Sequence, residues 1–410
     1  MQAMLERVAG LDVHRDTVAA CVRVPGPGST RQKFVQTFGT TTGDLIALRD
    51  WLKVHEVTHV AMESTGVYWK PVYYILEEAF TVLLVNPAHM KNVPGRKTDV
   101  KDCEWIAELQ EHGLLNGSFI PPKPIRDLRD LTRRRTTVTQ ERAHEVQRLH
   151  SVLQDAGIKL SSVATNIMGV SGRAMIEALV KGTKDAEVLA DLAKGRLKAK
   201  LGELRKALEG RFRGHHAFLA SRILGHIDYL EDEIAEMDRA IEEQMRPFAE
   251  EAKRLETIAG VKRKTAEKVI SEIGVNMKQF PSAKHLASWA GLCPGNNESA
   301  GKHKSGRTRK GNLHLRAALV ESALAATRTR DSYFSAQYAR IMRRRGHRKA
   351  VIAVAHSILV IAYHLLSRGK TYEELGRKFF EQRDKEAIQR RCTQQLERLG
   401  FKVTLEDAAA

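Results

Sequence analysis

The order of strand and helix signals in the first 115 residues constrains the fold of this chain more than any other feature. Short runs of β-branched and apolar residues, bounded by polar turns, predict strands, and apolar residues spaced three and four apart predict helices between them. The predicted strands are Arg7–Val13, Thr17–Val24, Gln32–Phe38, His59–Ser64 and Thr81–Val85, and the predicted helices are Leu45–Val54, Tyr68–Ala79 and Thr98–His112, with Thr98 as N-cap.

Three antiparallel strands followed by helix, strand, helix, strand and helix is the element order of the ribonuclease H-like α/β fold. Pro121, Pro122 and Pro124 interrupt this pattern and mark its end. We therefore expect an N-terminal α/β domain over residues 1–120.

The remainder of the chain is predicted to be mainly α-helical. Residues 126–156 and 216–250 read as long, charged helices, so 121–250 is expected to be a helical hairpin or coiled coil that spaces domains or oligomerises. Within the next domain, 251–375, the segment Leu255–Glu272 resembles a helix–hairpin–helix with its turn at Gly260 and with Lys262 where the motif usually has a second glycine. Such a turn would aim backbone N–H groups at a phosphate. Residues 376–410 are expected to form a charged helical tail.

The charge of the chain is concentrated in one region. The 410 residues include 67 basic and 49 acidic side chains, a formal charge of +18. Residues 1–115 carry 12 basic and 14 acidic groups, whereas residues 251–350 carry 22 basic and 7 acidic groups. Because Lys and Arg neutralise phosphates, this distribution indicates a localised nucleic-acid-binding surface. The alternative from charge alone is a protein that is merely basic.

Other features favour a cytoplasmic protein that needs no membrane. The cysteines are far apart and form no CxxC pair, so neither a zinc site nor a disulfide framework is indicated. The N-terminus is too charged for a signal peptide. The most apolar run, Ala350–Leu366, has 17 residues and contains two histidines, and a bilayer helix wants about 20 apolar residues. We expect it to be a buried core helix. The cysteines are Cys21, Cys103, Cys293 and Cys392.

Four carboxylates stand at predicted strand and helix ends. Asp12 and Glu63 follow the apolar parts of the first and fourth strands, and Asp99 and Asp102 open a helix three residues apart on one face. In the expected fold all four converge at one sheet edge, where they would repel one another unless a divalent cation were bound. Oxygen ligands of this kind select Mg²⁺ or Mn²⁺. Taken alone, Asp99 would be an ordinary first-turn acid.

Two other motifs in this region suggest different chemistry. His55–His59 matches the HExxH pattern of zinc proteases, which requires a helix, whereas this segment leads into a strand. Gly10-Leu11-Asp12 matches one phosphate loop of actin-like sugar kinases, but the further glycine-rich loops of those enzymes are absent from the sequence.

The segment Gly291–Arg316 combines glycines, one central serine and many cations. Glycines allow a close backbone approach, and cations would hold phosphates and favour a serine alkoxide at Ser299. The alternative is a flexible, solvated DNA-binding loop. The cations are Lys302, Lys304, Arg307, Arg309, Lys310 and Arg316.

Two motif blocks resemble one family, the DEDD transposases of bacterial insertion sequences of the 110/1111 type, which includes Piv-like DNA invertases. The first block comprises GLDVHRD at 10–16, AMESTGVYW at 61–69 and VNPAHMKNVPGRKTDVKDCEWIAEL at 85–109. The second comprises LETIAGV at 255–261 and FPSAKHLASWAGLCPGNNESAGKHKSGRTRKGNLHLRAAL at 280–319. By position, the family's tetrad falls on Asp12, Glu63, Asp99 and Asp102, and its serine falls on Ser299. Many relatives have Ser-Gly directly where this chain has Ser299-Ala300-Gly301, and Ser305 is the nearest competitor.

The resemblance implies a recombinase with a RuvC-like N-terminal domain that binds Mg²⁺ (or Mn²⁺) through the tetrad. It implies that Ser299 attacks a DNA phosphodiester, giving a phosphoserine intermediate and a free 3′-hydroxyl. It also implies a homo-oligomer, dimer or tetramer, with active sites composed from two subunits. Donor and target DNA would be chosen by a guide (bridge) RNA encoded in the element, and the protein would be associated with the bacterial nucleoid.

A second cationic cluster in the helical region is a candidate for RNA or DNA backbone binding, with a solvated helix face as the alternative. Its members are Arg126, Arg129, Arg133, Arg134 and Arg135.

Three other functions remain open on the sequence alone. A metal-dependent nuclease or Holliday-junction resolvase would use water as nucleophile and Ser299 only as a phosphate contact. A non-catalytic nucleic-acid-binding protein would keep its activity when Asp12 is replaced by alanine. A kinase-like ATPase would turn over ATP.

Overall fold

The computed structural model describes residues 4–28, 30–64, 66–86, 102–295, 297–299, 302–308, 310–380 and 385–404. Side chains are not described for 297–299, 302–305 and 386–388. The predictions for Thr98, Asp99 and Arg309 therefore lie outside the described residues. The chain forms two compact units, Met1–Ile120 and Pro121–Ala410.

The first unit is built on a mixed five-stranded sheet with strand order β3-β2-β1-β4-β5. β1 is antiparallel to β2 and β2 to β3, whereas β4 runs parallel to β1 and to β5. The predicted order of strands and helices is thus confirmed, and the ends that fall in the described residues differ by at most three residues. The helix predicted to start at Leu45 starts at Thr42, because the Thr41 hydroxyl accepts the Asp44 N–H and caps it. The elements are β1 (Val8–Val13), β2 (Thr17–Pro25), β3 (Arg31–Gly39), α1 (Thr42–Val54), β4 (His59–Glu63), α2 (Trp69–Leu76), β5 (Thr81–Val85) and α3 (Asp102–Glu111).

The two faces of this sheet pack against different helices. Side chains alternate along a strand, so Leu11 and Met62 face one core, which also contains the buried leucines of α1 and α2. Ala61 and Val85 face the other side, where they pack against α3. The sheet is therefore a central layer with α1 and α2 on one face and α3 on the other.

α3 lies unusually close to β1 and runs antiparallel to it. A Cβ on Gly10 would lie 2.3 Å from both the Cys103 carbonyl oxygen and the Ala107 nitrogen, so only glycine permits this contact. At the other end of α3, the Glu111 carbonyl accepts the N–H of Leu5, which precedes β1. The N-terminus of α3 therefore lies at the carboxyl end of β1.

The second unit begins with a pair of long antiparallel helices, α4 (Lys123–Asp155) and α9 (Gly214–Met245). Polar contacts in reversed order join them, among them Asp155–His216, Glu145–His226, Arg142–Glu231 and Arg135–Asp238. The long helices predicted over 126–156 and 216–250 are confirmed. Between them, four short helices share an apolar core with the ends of the pair. These are α5 (Leu160–Val163), α6 (Val170–Val180), α7 (Ala186–Asp191) and α8 (Leu201–Leu208).

The rest of the second unit is a helical body with one short hairpin. Its apolar centre is α15, where Val354, Ile358 and Leu359 are buried among α12, α13 and α14. α15 is long and apolar enough to span a membrane by length and composition, yet 44% of its most apolar window is buried within this chain. The elements are α10 (Ala249–Glu256), α11 (Arg263–Ile273), α12 (Ala283–Trp289), β6 (Asn297–Ser299), β7 (Lys302–Ser305), α13 (Leu313–Ala326), α14 (Tyr333–Arg345), α15 (His347–Arg368) and α16 (Lys385–Arg398).

The predicted helix–hairpin–helix is present as α10, a turn and α11. Gly260 has a φ of 85°, and a Cβ there would lie 2.3 Å from the Ser322 carbonyl oxygen of α13, so the glycine is required for packing against that helix. That the N–H groups of this turn bind a phosphate stays a prediction. Lys262, just after the turn, is exposed.

Candidate active site and nucleic-acid interface

Asp12 and Glu63 lie side by side at the carboxyl ends of two neighbouring parallel strands. The register pairs Leu11 of β1 with Met62 of β4, so Asp12 and Glu63 are the next position along each strand. Because side chains alternate, both stand on the face opposite Leu11 and Met62, which is the face that α3 covers. The sequence prediction that these carboxylates meet at one sheet edge is therefore supported by the register.

Asp102 is the first described residue of α3, the helix that packs over this edge. Ala107 of α3 lies against Gly10 of β1. Asp102 is five residues before Ala107, so it lies about 7.5 Å from that contact along α3, at about 1.5 Å per residue. Asp12 lies two residues beyond Gly10, a displacement of about 6.6 Å in the same direction along β1. Asp102 is exposed and stands at the same level of the sheet as Asp12.

The Asp12 side chain is only 25% exposed and has a histidine neighbour. The Nε2 atom of His14 lies 3.1 Å from Oδ2 of Asp12. Sequence reasoning missed His14, although its position two residues after the acid at a strand end was a usable signal. The half-buried carboxylate therefore stands in a polar, solvent-accessible setting at the edge of the sheet.

This edge of the sheet suits a divalent cation. Carboxylate oxygens on one face are the hard donors that Mg²⁺ and Mn²⁺ prefer. A cation there would remove the mutual repulsion that parallel strands otherwise impose on adjacent carboxylates. On the same face, burial and the neighbouring Cys103 raise the pKa of Cys21 to about 12, so this thiol acts as a packing group.

Two other groups of potential metal ligands are explained by structure. His55 ends α1 and stacks on Phe34, and His59 begins β4, so the HExxH motif does not form a zinc-binding helix. In the second unit Asp155, His215 and His216 lie close enough to bind a metal. However, both ring nitrogens of His216 have protein partners: Nδ1 accepts the Arg213 N–H and so caps α9, and Nε2 lies 2.8 Å from a carboxylate oxygen of Asp155 of α4.

The serine-containing segment is a hairpin and not the flexible loop that its composition suggested. Ser299 of β6 pairs in register with Lys302 of β7, so it is the last β6 residue before the turn. The base of the hairpin is closed, because a Cβ on Gly311 would lie 2.3 Å from the Gly291 nitrogen. Gly295 also donates its N–H to the Arg307 carbonyl at 2.8 Å. The roles predicted for the side chains of Ser299, Lys302, Lys304 and Arg309 lie outside what the structure describes.

The remaining cations predicted from this segment have two different settings. Lys310 is exposed. Arg307 and Arg316 line a groove beside the hairpin, together with Arg345, Arg348 and Lys349. The run RRRGHRK at 343–349 was the sequence signal for these last three residues.

The arginine cluster of α4 is mostly internal, which corrects its predicted role. Arg126 and Arg135 are buried and cannot reach a nucleic acid. Arg129 donates to the backbone carbonyls of Ser271 and Glu272. Four of the arginines form ion pairs with carboxylates of α9 and α11, although Arg134 remains exposed. Arg126 donates to the Pro121 carbonyl. The carboxylate partners are Glu272 for Arg129 and Arg133, Glu233 for Arg134, and Glu267 and Asp238 for Arg135.

One unit thus carries a carboxylate-rich sheet edge and the other a serine hairpin among cations, an arrangement typical of enzymes that act on nucleic-acid phosphodiesters. Sequence comparisons identify the family. A family model described as a transposase matches residues 9–158, and a second, described as the transposase IS116/IS110/IS902 family, matches residues 252–339. The chain belongs to the IS110/IS1111 family of DEDD transposases.

Individual relatives agree with this assignment. A probable family 20 transposase of Pseudomonas aeruginosa is 25% identical over 79% of this chain and 88% of its own length. The transposase for insertion sequence element IS1111A of Coxiella burnetii is 25% identical over 70% of this chain and 72% of its own. A pilin gene-inverting protein of Moraxella lacunata is 24% identical over 90% of this chain and 99% of its own.

Proposed function

We propose that this chain is a DNA recombinase that cleaves and exchanges strands of donor and target DNA, with Ser299 as nucleophile and Mg²⁺ bound by Asp12, Glu63, Asp99 and Asp102. Mn²⁺ would satisfy the same ligands. The observation that carries the proposal is the adjacency of Asp12 and Glu63 at the carboxyl ends of β1 and β4. The strand order of the sheet supports a ribonuclease H-like, RuvC-like fold for this domain.

The metal, when bound, supplies charge stabilisation for the attacking and leaving oxygens of a phosphoryl transfer. The carboxylates of this chain hold it and fix its position against the sheet. His14 keeps Asp12 oriented through the Nε2 contact.

The covalent step uses the serine hydroxyl. Oγ of Ser299 forms a bond to the scissile phosphorus, and the bond from phosphorus to the 3′-oxygen breaks. The serine proton leaves to a base, and the departing oxygen becomes a free 3′-hydroxyl. The phosphoserine conserves the phosphodiester bond, so joining to a new 3′-hydroxyl needs no external energy.

The basic residues around the hairpin are proposed to hold the DNA backbone. These are Lys262, Lys302, Lys304, Arg307, Arg309, Lys310 and Arg316. Arg134, which is 52% exposed, is the member of the α4 cluster that we retain as a candidate for backbone contact.

The proposal extends to partners through the family. The names of the relatives describe transposition and gene inversion, both of which exchange DNA strands. A homo-oligomer, dimer or tetramer, is proposed because the carboxylates and the serine lie in different units of the chain, which suits an active site composed from two subunits. A guide RNA from the element would select donor and target, with the protein reading backbone and shape. We place the protein in the cytoplasm, at the nucleoid.

The metal site is tested by a pair of matched substitutions. Asp12→Asn should abolish Mg²⁺-dependent cleavage of end-labelled DNA, with a loss greater than the ~10–100-fold typical of an outer-shell partner. Asp16→Asn is the control, since Asp16 is 73% exposed and pairs only with the adjacent Arg15 among the described residues. Equal activity of both variants would refute the assignment of Asp12.

A further inference from the structure

A groove of about 860 Å³ opens beside the base of the serine hairpin. One wall contains Pro294 and Thr308, which bridge the two sides of the hairpin. The opposite wall comes from the junction of α14 and α15. Known pockets for small ligands measure about 300–1,000 Å³, so the groove has room for a nucleotide.

The mouth of the groove is strongly cationic. Five basic side chains line it, and no carboxylate does among the described residues. Four of the five, Arg307, Arg345, Arg348 and Lys349, are exposed, and Arg316 is half-buried. A lining that contains several cations and no carboxylate among the described residues favours a phosphate ligand.

The rest of the lining is uncharged, largely apolar and mostly half-buried or buried. Ile352 and Ala353 of α15 form part of it, together with Leu292. His356 also lines it, and burial lowers the pKa of this imidazole below its ordinary value, so the ring is neutral at pH 7. A cationic mouth over an apolar depth matches the phosphate and the base of a single nucleotide.

Gln337, which lines the groove, has one hydrogen-bonding atom without a partner among the described residues, and this atom is shielded from solvent as the side chain stands. Gln337 donates from Nε2 to the Ser357 hydroxyl at 2.8 Å, while its Oε1 is buried and has no hydrogen-bond partner in the described part of the chain. If the amide were rotated by 180°, Oε1 would face the Ser357 hydroxyl and Nε2 would be the atom without a partner. Buried polar groups are usually hydrogen-bonded. A rotation of the Gln337 side chain toward the groove would present this amide to the edge of a nucleobase, which offers both donors and acceptors.

We propose that this groove binds one unpaired nucleotide of the strand that lies beside the scissile phosphate, with its phosphates at Arg307, Arg348 and Lys349 and its base beside Gln337. The identity of that strand rests on the proposed function. A base must leave the stack to enter such a depth, whereas a duplex would need only the cationic rim. The groove therefore distinguishes single-stranded from double-stranded DNA next to the serine.

The experiment measures binding by the full-length protein without divalent metal, so that no cleavage occurs. Fluorescence anisotropy would compare a ten-nucleotide single-stranded DNA with the same strand carrying three central abasic sites. We expect the intact strand to bind at least 5-fold more tightly, because both strands carry the same phosphates. Equal affinity for the two probes would overturn the proposal.

Two pairs of substitutions locate the effect. Ala353→Leu should fill the depth and remove the preference for the intact strand, while Ala339→Leu, a half-buried alanine outside the groove, should leave it. Arg348→Glu should lower the affinity for both probes at least 5-fold. Arg343→Glu makes the same charge change outside the groove and should lower the affinity less than 2-fold. Equal effects within either pair would overturn the proposal, since neither the space nor the charge of the groove would then matter.

A second substitution guards against misfolding. If thermal melting shows that Ala353→Leu unfolds the protein, Gln337→Leu should give the same loss of preference for the intact strand. An unchanged preference would overturn the proposal. The binding assay and the assay for serine chemistry share no step. A strand preference that is absent would therefore not contradict catalysis by Ser299, and a serine that does not react with DNA would not contradict binding in the groove.

Discussion

At the scale of single residues, Glu272 is the most connected carboxylate of the second unit. Its side chain is 2% exposed and receives two hydrogen bonds from Arg133, at 2.7 and 2.8 Å, and one from Asn312 at 2.6 Å. Burial alone would raise the pKa of Glu272, but the hydrogen bond from Arg133 and the charges of Arg129 and Arg133 outweigh it and hold the pKa below its ordinary value. Because Asn312 caps α13, this carboxylate ties the end of the hairpin segment to α4 and α11.

Glu272→Gln should destabilise the protein by at least about 2 kcal/mol at pH 7, since breaking a buried ion pair typically costs about 3–5 kcal/mol and Arg133 stays partly solvated. A carboxyl whose pKa is lowered by folding adds to the free energy of unfolding when the pH is above its unfolded pKa, about 4.3. This stabilisation is lost as the pH falls through the folded pKa. The wild-type protein should therefore lose more stability than the variant below about pH 4.3. Urea unfolding at pH 7 and at acidic pH measures both effects.

The matched control is Glu236→Gln, because Glu236 is 73% exposed and its arginine partner is 4.0 Å away. It should change stability by less than about 0.5 kcal/mol. A similar effect of both substitutions would show that Glu272 does not anchor this region.

Residue-scale prediction from sequence succeeded where the signal was local. Asp12 and Glu63 were identifiable because each follows its own apolar strand, and the register then places them together. The ion pairs of the α4 arginines could not be predicted because their partners are far away in sequence, 139 residues in the case of Arg133 and Glu272. A helix with many arginines has the same sequence pattern whether it faces DNA or a carboxylate-bearing helix.

At the scale of elements, the position of α3 over β1 determines the geometry of the candidate metal site. Gly10 allows the helix backbone to contact the strand, because any side chain there would bring its Cβ within 2.3 Å of the Ala107 nitrogen. The strands and helices of this unit could be predicted because their apolar periodicity is strong. The β6–β7 hairpin could not, because its strands have three and four residues and lack β-branched alternation.

Gly10→Ala should push α3 away from the sheet, at a cost of about 1–3 kcal/mol or more for overpacking, and should reduce Mg²⁺-dependent cleavage beyond the loss of stability. Gly43→Ala is the control, since a Cβ there meets nothing within 4 Å. Thermal unfolding and cleavage rates of the two variants make the comparison. A cleavage rate that is unchanged in Gly10→Ala would separate α3 from the site.

At the scale of the whole molecule, the two units differ in net charge. The unit Met1–Ile120 carries 12 basic and 14 acidic groups, and residues 121–410 carry 55 basic and 35 acidic groups. The second unit should therefore supply most of the affinity for DNA, and the first should supply the metal. This division was visible in the sequence, because charge counts need no tertiary information.

A fragment of residues 121–410 should retain most of the DNA affinity of the full chain, and its binding should weaken steeply with salt. A fragment of residues 1–120 should bind at least about 100-fold more weakly. Filter binding of both fragments at two salt concentrations, after circular dichroism confirms folding, tests this. Comparable affinities would contradict the division of roles.

The central claim is that Ser299 forms a covalent bond to DNA with help from the carboxylate site. Protein, Mg²⁺, the flanking RNA of the element and end-labelled donor and target DNA would be resolved on a denaturing gel, for the wild type and for Ser299→Ala, Ser305→Ala and Asp12→Ala. We expect a labelled protein–DNA adduct that Ser299→Ala and Asp12→Ala abolish and Ser305→Ala preserves. Cleaved DNA without an adduct, unaffected by Ser299→Ala, would contradict the account and identify a metal-dependent nuclease or junction resolvase.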